Sequence, residues 1–276
     1  MRNSFLIMVL ICVLGNAQTH RFIYDIEYRK DSTSQLTAKK NYNLDITKDK
    51  VLYYTRDYFV ADSLISNNIP IPEEMKLNTS NIIEHKIGSI SYDEYDVLEN
   101  TILKLRTDDH QNWKLTDEKK QVKNLSLQKA VATWGGRDWI AFFTPEIPFQ
   151  DGPYKFHGLP GLIVELYDDR DNYHFQLVKS EVFKDAQENQ FIAEAIEMSV
   201  PTSWEKYKST KQKYFQSPID FIKNAIGEST GSQFYLNDGT VVDAKNSREV
   251  NEHLKNAIKQ YNNPIEIDKA ITYPNN

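Results

Sequence analysis

The sequence predicts a mainly β protein of the α+β class, with a bent antiparallel sheet or half-open barrel and C-terminal helices. Three observations support this fold. Apolar and polar residues alternate with a period of two over much of the stretch from residue 21 to residue 183. The chain carries 16 Tyr, 13 Phe and 4 Trp, and aromatic residues favour strands. Beyond about residue 200 the period changes to that of helices.

The first 17 residues have the pattern of a secretory signal peptide. Arg2 supplies a positive charge, residues 5–14 are apolar, and Ala17 ends a run of small residues that suits cleavage before Gln18. An apolar core of this length is too short to cross a bilayer as a helix. We therefore expect an exported protein, periplasmic, envelope-associated or secreted, in which residues 18–276 form a single domain.

Composition excludes several classes of function. Cys12 is the only cysteine and lies in the leader, so the mature chain is expected to have no disulfide, thiol catalyst or zinc–thiolate site. The formal net charge of −6 and the lack of a basic patch with interleaved aromatics argue against nucleic acid as a partner. The histidines lack metal-binding spacings, although His157 and His174 could meet across neighbouring strands. We expect no metal, no cofactor and no transmembrane segment in the mature chain.

The predicted strands are separated by turn residues. In the first run, Phe22, Tyr24, Ile26 and Tyr28 share one face. The later runs cover residues 42–46, 51–58, 82–90, 97–106, 139–143, 162–167 and 173–178. Alternation on so many consecutive runs favours an antiparallel meander over a parallel α/β sheet. Residues 18–183 are therefore predicted to be mostly β.

Residues 201–276 are predicted to form helices and one hairpin. A helix is expected over residues 204–215, and a second one from Pro218 to residue 226, with Ser217 as N-cap and Gly227 as the stop. Strands 232–236 and 240–243 flank Asn-Asp-Gly, which is a strong hairpin signal. The apolar stripe over residues 247–261 predicts a last helix.

A hexapeptide, Gly158-Leu159-Pro160-Gly161-Leu162-Ile163, follows a patterned aromatic run. Further short motifs precede it, and one follows near the end of the chain: W-K-L at 113–115, K-A at 129–130, G-R-x-W at 136–139, T-P-E-I-P at 144–148, G-P-x-K-F at 152–156 and N-P-I-E at 263–266. With these motifs the chain resembles the GLPGLI family of exported bacterial proteins, whose activity is uncharacterised. The resemblance implies a place in the Gram-negative envelope and a possible partnership with an outer-membrane receptor. Many relatives carry a cysteine where this chain has Leu127, so a thiol role at that position cannot apply here.

Two interpretations of the hexapeptide stay open. Glycine reaches positive φ without steric cost and proline forces the preceding residue to be extended, so the turn can be a rigid start to the buried strand 162–167. Alternatively, the turn forms the lip of a site for a ligand or partner. Phosphate binding does not fit, because no Lys-Ser/Thr and no helix start follow the glycines.

The candidate ligand-binding residues lie around the hexapeptide. The aromatic candidates are Trp113, Trp134, Trp139 and Phe143, which could line an apolar cavity or fill the core. Arg137 and Lys155 could orient an acidic head group, or form surface ion pairs instead. Trp139, Ala141 and Phe143 should share one face and Ile140 and Phe142 the other, with one of these faces lining the concave side of the bent sheet and the other packing under the helices.

Three functions follow from these features. The first is a non-catalytic binding or accessory protein for an apolar ligand, a peptide, a lipid or an outer-membrane receptor, with no catalytic residue assigned. The second is a periplasmic hydrolase that uses paired carboxylates, for which Glu146, Asp151 and Glu165 lie nearest the motif. The third is a purely structural envelope protein with a solidly packed sheet.

Overall fold

The computed structural model describes residues 18–72, 75, 82–184, 188–227, 233–236 and 239–274. Twelve of the described strands form one sheet, and two short strands form a separate hairpin. The strands are β1 Thr19–Tyr28, β2 Ala38–Ile46, β3 Lys50–Thr55, β4 Ile82–Lys86, β5 Ser91–Leu98, β6 Thr101–Asp108, β7 Lys114–Val122, β8 Leu125–Trp134, β9 Arg137–Thr144, β10 Leu162–Asp168, β11 Tyr173–Phe183, β12 Val200–Thr202, β13 Phe234–Tyr235 and β14 Val241–Val242.

The large sheet is bent and open, with the order β12-β6-β5-β4-β3-β2-β1-β11-β10-β9-β8-β7. Neighbouring strands are antiparallel except for β12, which lies parallel to β6. β1 lies near the middle because it pairs with β2 on one side and with β11 on the other. The predicted mainly β fold, with its bent sheet and C-terminal helices, is confirmed.

Alternation along the strands divides the side chains between two faces of the sheet. On β1, Phe22, Tyr24 and Ile26 point into the main core, which they share with Trp139 and Phe143 of β9. A second apolar cluster lies elsewhere and combines strand and helix residues, including Tyr54, Ile82, Tyr95 and Ile192. The predicted common face of the first strand is therefore confirmed for its buried members.

Five α-helices occur among the described residues, together with a short 3-10 helix at Ile267–Lys269. They are α1 Arg56–Ser66, α2 Gln190–Glu197, α3 Trp204–Gln216, α4 Pro218–Ile226 and α5 Ser247–Gln260. The Ser203 side chain accepts a hydrogen bond from the Lys206 N–H at the start of α3, and Gly227 ends α4 at φ 71°. The three C-terminal helices are confirmed, while Ser217 makes no side-chain capping bond to the backbone of α4.

Several sequence predictions need correction. The run 51–58 is a strand only as far as Thr55, and α1 begins at Arg56. Both α1 and α2 were unpredicted, as were β7 and β8. The hairpin is shorter than expected, and its predicted Asn237 and Asp238 lie outside the described residues. The predicted signal peptide also lies outside them.

Helix α3 attaches the C-terminal helices to the sheet. The Tyr207 hydroxyl donates to Asp96 Oδ2 at 2.7 Å, and the Lys211 ammonium lies 2.7 Å from the same oxygen. Helices α4 and α5 enclose a small apolar cluster with the hairpin, which includes Ile222 and Phe234. In the part of the chain that the structure describes, no helix is long and apolar enough to span a bilayer.

Candidate binding site

The GLPGLI turn is a tight start to β10. Gly158 and Gly161 have φ of 87° and 148°, in the region that favours glycine. The Leu162 N–H donates to the Ile147 carbonyl at 3.1 Å, and Leu162 and Ile163 are buried in the main core. This geometry is the rigid start to a buried strand that the sequence allowed for. The hexapeptide lines neither of the two cavities described below.

Arg137 binds the C-terminal end of the chain. The residues 263–269, here called the C-terminal strap, run along the main core beside β9. The guanidinium donates to the Asn263 side chain at 2.6 Å and to the carbonyls of Pro264 and Ile265 at 2.7 and 3.0 Å, and it also donates to Asp168 at 3.1 Å. Arg137 is buried, so the expected surface ion pair is wrong, and its donors are committed to the strap and Asp168.

Lys155 makes a second buried attachment to the strap. Its side chain is fully buried, and Nζ lies 2.7 Å from Glu266, 2.8 Å from Glu94 and 3.5 Å from Asp109. The Tyr154 hydroxyl also donates to Glu266 at 2.7 Å. Burial by itself lowers the pKa of Lys155, but the three carboxylates outweigh it and raise the pKa. Lys155 is therefore a buried cation that the chain's own carboxylates neutralise, and the expected surface ion pair is wrong here too.

The aromatic candidates pack mostly against one another. Trp139 and Phe143 are fully buried in the main core, and the Trp139 ring lies 4.6 Å from that of Phe156. Trp134 and Trp113 lie at the margin of the core, where the Trp113 indole donates to the His157 carbonyl at 2.8 Å. None of the four lines either of the two cavities described below, and their role in ligand binding stays a prediction.

Neither face of β9 packs under the described helices, so the expectation that one of them would is wrong, and strand residues cover the face with Ile140 and Phe142. Phe142 belongs to an apolar cluster with Leu127 and Val164, and Ile140 lies beside it. The Lys120 ammonium lies 3.6 Å from the centre of the Phe142 ring. Strand side chains and a lysine therefore cover this face, because β7, β8 and β10 supply enough apolar and aliphatic surface themselves.

The carboxylates and histidines form separate contacts. Among the described residues, Glu146 accepts from the Ser126 N–H, Asp151 lies 3.3 Å from His85 Nε2, and Glu165 contacts His174 at 3.1 Å. No contact joins two of these three carboxylates. Each of the three carboxylates therefore has a separate partner, and a catalytic pair among them stays a prediction.

His157 contacts Tyr92 and the backbone of its own loop and does not contact His174. Its Nδ1 lies 2.7 Å from the Tyr92 hydroxyl and 3.0 Å from the Lys155 carbonyl. The meeting of His157 with His174 that the sequence left open does not occur, because His174 contacts Glu165 on β10. Burial is the main cause that lowers the pKa of His157, with a smaller contribution from the nearby His85. No group of three or more potential metal ligands occurs among the described residues.

A partly apolar cavity of about 420 Å³ lies between α1, α2 and the sheet. This volume falls within the range of about 300–1,000 Å³ typical of small-molecule sites. The cavity is lined by Thr19, Arg21, Asp45, Thr47, Lys50, Leu52, Tyr54, Phe59, Asp62, Phe183, Lys184, Glu188, Asn189, Ile192, Ala193 and Ile196. Most of the apolar lining comes from the two helices, and half of the polar lining comes from β1, β2 and β3. We call it the helix–sheet cavity.

Local sequence builds the two walls of the helix–sheet cavity. The Asn189 side chain caps α2 by accepting from the Ile192 N–H at 3.1 Å, and its amide donates to the Tyr58 carbonyl of α1 at 2.8 Å. Asp62 of α1 accepts from the Gln190 N–H at 3.0 Å. These bonds fix the two helices beside each other, and the apolar Ile192 and Ile196 lie on one side of α2 because they are four residues apart.

Arg21 is the main polar group of the helix–sheet cavity. Its Nε and Nη2 donate to the two oxygens of Asp45, each at 2.7 Å, and Nη2 also contacts the Tyr54 hydroxyl at 3.0 Å. The guanidinium lies between two rings, 4.1 Å from the centre of Phe59 and 4.7 Å from that of Phe183. Sequence analysis missed this residue; the only signal was its place opposite Asp45 once β1 and β2 pair.

A second cavity, of about 710 Å³, is more polar. Its lining includes Lys50, Glu84, His85, Asp93 and Arg106. Lys50 and Glu84 pair at 2.8 Å, and Arg106 and Asp93 pair at 3.1 Å. Because opposite charges already neutralise each other there, we assign it no ligand.

Comparisons with known proteins give a family of unknown function. Residues 135–165, which include the hexapeptide and three of the six further motifs, match a family described as "Protein of unknown function (Porph_ging)". This match is consistent with an uncharacterised bacterial family. No curated protein matches the chain.

Two solved structures of PNGF-II show a distant similarity to this chain. The structure in the P21 space group is 14% identical, with a TM-score of 0.47, and the match covers 70% of this chain and 33% of that one. The structure in the C2 space group is 15% identical, with a TM-score of 0.45, and the match covers 68% and 31% of the two chains. The match thus spans about a third of the length of these solved chains.

Proposed function

We propose that this chain is an exported, non-catalytic binding protein of the bacterial envelope, which holds a small apolar ligand in the helix–sheet cavity. The observation that carries the proposal is the cavity itself, about 420 Å³ in volume with an apolar wall from α1 and α2. Small-molecule sites combine such apolar walls with a few placed polar groups. Arg21, Asp45 and Tyr54 are the placed polar groups here.

The position of the site differs from the one the aromatic run suggests. The rings of Trp139 and Phe143 pack in the main core, and the donors of Arg137 and the charge of Lys155 are satisfied within the chain. A ligand there would have to displace the C-terminal strap. A ligand in the helix–sheet cavity leaves the strap in place, which favours this cavity as the site.

Export and family membership are part of the same proposal. The match over residues 135–165 falls inside the stretch 113–168 that resembles the GLPGLI family, and we propose that the chain is a member. The leader-like residues 1–17 support export to the periplasm or envelope. A protein with this location meets lipids, peptides and outer-membrane components, which are sources of apolar ligands.

A cavity-filling variant tests the proposed function. The neutral fluorescent probe N-phenyl-1-naphthylamine should bind the wild-type chain and brighten, and Ala193→Trp should reduce its affinity at least about tenfold by occupying the cavity. Ala193 lines the cavity and is half-buried, whereas Ala270 is exposed and lies outside it. Ala270→Trp is therefore the matched control and should bind the probe like wild type.

Ala193→Met serves as a milder filling variant if the Trp variant unfolds. A circular dichroism spectrum and a thermal melt of each variant establish that it is folded. If the wild-type chain does not bind the probe, or if both filling variants bind it with full affinity while folded, the helix–sheet cavity is not the site.

A further inference from the structure

The polar side of the helix–sheet cavity contains unused hydrogen-bond donors. Among the described residues, Arg21 Nη1 and Thr19 Oγ1 have no hydrogen-bond partner, although both atoms are buried. Both residues line the cavity and are more than nine-tenths buried. A buried donor without a partner is destabilising and rare in folded proteins, so each of these atoms needs an explanation. An acceptor oxygen on a bound ligand would supply the missing partner.

The charges around the cavity are balanced. Its charged lining residues are three bases and three acids: Arg21, Lys50, Lys184, Asp45, Asp62 and Glu188. Arg21 already forms a bidentate pair with Asp45, with side chains only 8% and 11% exposed. Burial lowers the pKa of Arg21, and Asp45, Tyr54 and Glu181 outweigh that effect and raise it, so the guanidinium stays charged. A free anion would gain the attraction of Arg21 and meet the repulsion of Asp45.

The apolar wall restricts the rest of the ligand. Phe59, Ile192 and Ile196 offer aliphatic and aromatic surface with no side-chain donor or acceptor. A peptide backbone laid on this wall would bury amide groups without partners, each of which costs free energy. A hydrocarbon chain has no polar group that needs a partner, and its transfer from water to the cavity wall is favourable.

Building on the proposed function, we propose that the ligand is a neutral acyl ester, whose carbonyl oxygen accepts from Arg21 Nη1 and whose alkyl chain lies against α1 and α2. Nη1 is buried, and the Phe183 ring lies 4.7 Å from the guanidinium carbon. Phe183 is half-buried at the end of β11, and its ring has to turn aside for the ester to reach Nη1. The carbonyl then fills the position next to Nη1.

Competition between two close analogues tests the head group. Methyl decanoate and decanoate share the same alkyl chain, and at pH 8 they differ by one negative charge. In displacement of N-phenyl-1-naphthylamine from the wild-type chain, the ester should bind at least about tenfold more tightly than the acid. Equal or tighter binding of decanoate would overturn the proposal.

Two variants separate the charge from the hydrogen bond. Asp45→Asn removes the compensating charge beside Arg21, so decanoate should gain at least about tenfold in affinity while the ester changes little. The double variant Arg21→Met/Asp45→Leu removes both charges and leaves no buried ion unpaired. The double variant should still bind the probe but bind the ester at least about tenfold more weakly than the wild-type chain does. Unchanged ester affinity would show that Arg21 does not bind the ester carbonyl.

The outcomes distinguish the two proposals. If the wild-type chain does not bind the probe, the proposed function as a whole is contradicted. Probe binding without a preference for the ester contradicts only the assignment of the ligand. If Asp45→Asn does not fold, the wild-type preference and the double variant still decide the question.

Discussion

Gly161 and Gly158 provide a matched test of the turn before β10. Both residues have positive φ, 148° and 87° respectively, so an alanine at either position is strained. This backbone strain costs about 1–3 kcal/mol at each site. The two glycines differ in their surroundings, because a Cβ at Gly158 would meet nothing within 4 Å.

A Cβ at Gly161 would meet the backbone of β9. It would lie 2.0 Å from the Thr144 carbonyl oxygen, 2.5 Å from the Thr144 carbonyl carbon and 2.8 Å from Pro145 Cα. Thr144 is fully buried and pairs with Leu162, so neither strand can move aside without breaking the register of β9 and β10. Overpacking of this kind adds about 1–3 kcal/mol, and sometimes more.

We therefore expect Gly161→Ala to lower the free energy of unfolding by about 1–3 kcal/mol more than Gly158→Ala does. Urea denaturation of the two variants and the wild type, followed by far-ultraviolet circular dichroism, measures both changes under one condition. Equal loss of stability in the two variants would refute the reasoning, because it would show that the close approach to Thr144 relaxes freely. Gly161→Val should be at least as harmful, since a β-branched residue adds bulk at the same contact.

Four further outcomes are expected. Lys155→Met should lower the free energy of unfolding, measured by urea denaturation, by roughly 3–5 kcal/mol, because three carboxylates lose their buried cation. A decrease below about 1 kcal/mol would contradict the role of Lys155 as a buried counter-charge. Because burial lowers the pKa of His157, the unfolded chain takes up this proton first, so the free energy of unfolding should fall as pH drops through about 6.5. His157→Gln should reduce that slope, and an identical pH profile would exclude His157 as the cause. Trp139→Ala should lower the free energy of unfolding by about 3–5 kcal/mol and leave the probe affinity per folded molecule unchanged. Weaker probe binding would indicate that the ligand site lies in the main core. N-terminal sequencing of the exported protein should show cleavage after Ala17, and a mature chain that begins at residue 1 would rule out the leader.

Local sequence determined the elements that carry their own signal. The alternation over 22–28 predicts β1, because a half-buried strand repeats every two residues and needs no knowledge of its neighbours. Helices α4 and α5 follow equally from local features, the first from Pro218 and Gly227 at its ends and the second from its apolar stripe. Glycine permits the positive φ that Gly161 adopts, so this residue type suits the turn before β10.

Other elements depend on contacts that the local pattern does not contain. β7 is exposed along most of its length, so it lacks the apolar alternation that marks a strand, and pairing with β8 makes it one. In the sequence, the aromatic residues of α1 predict a continuation of β3. Packing against α2 and the sheet instead stabilises a helix after Thr55. Tertiary contacts can outweigh intrinsic preference, because preference differs by only about 1 kcal/mol per residue.

The candidate site was decided by tertiary structure alone. Arg21 is an unremarkable strand residue in sequence, and pairing of β1 with β2 places it against Asp45, 24 residues away. The helix α2 that closes the cavity comes from much further along the chain. In the same way, Lys155 and Glu266 meet across 111 residues. A charged side chain is stable inside a protein only where a partner neutralises it, and the sequence supplies the charges while the fold decides which of them meet.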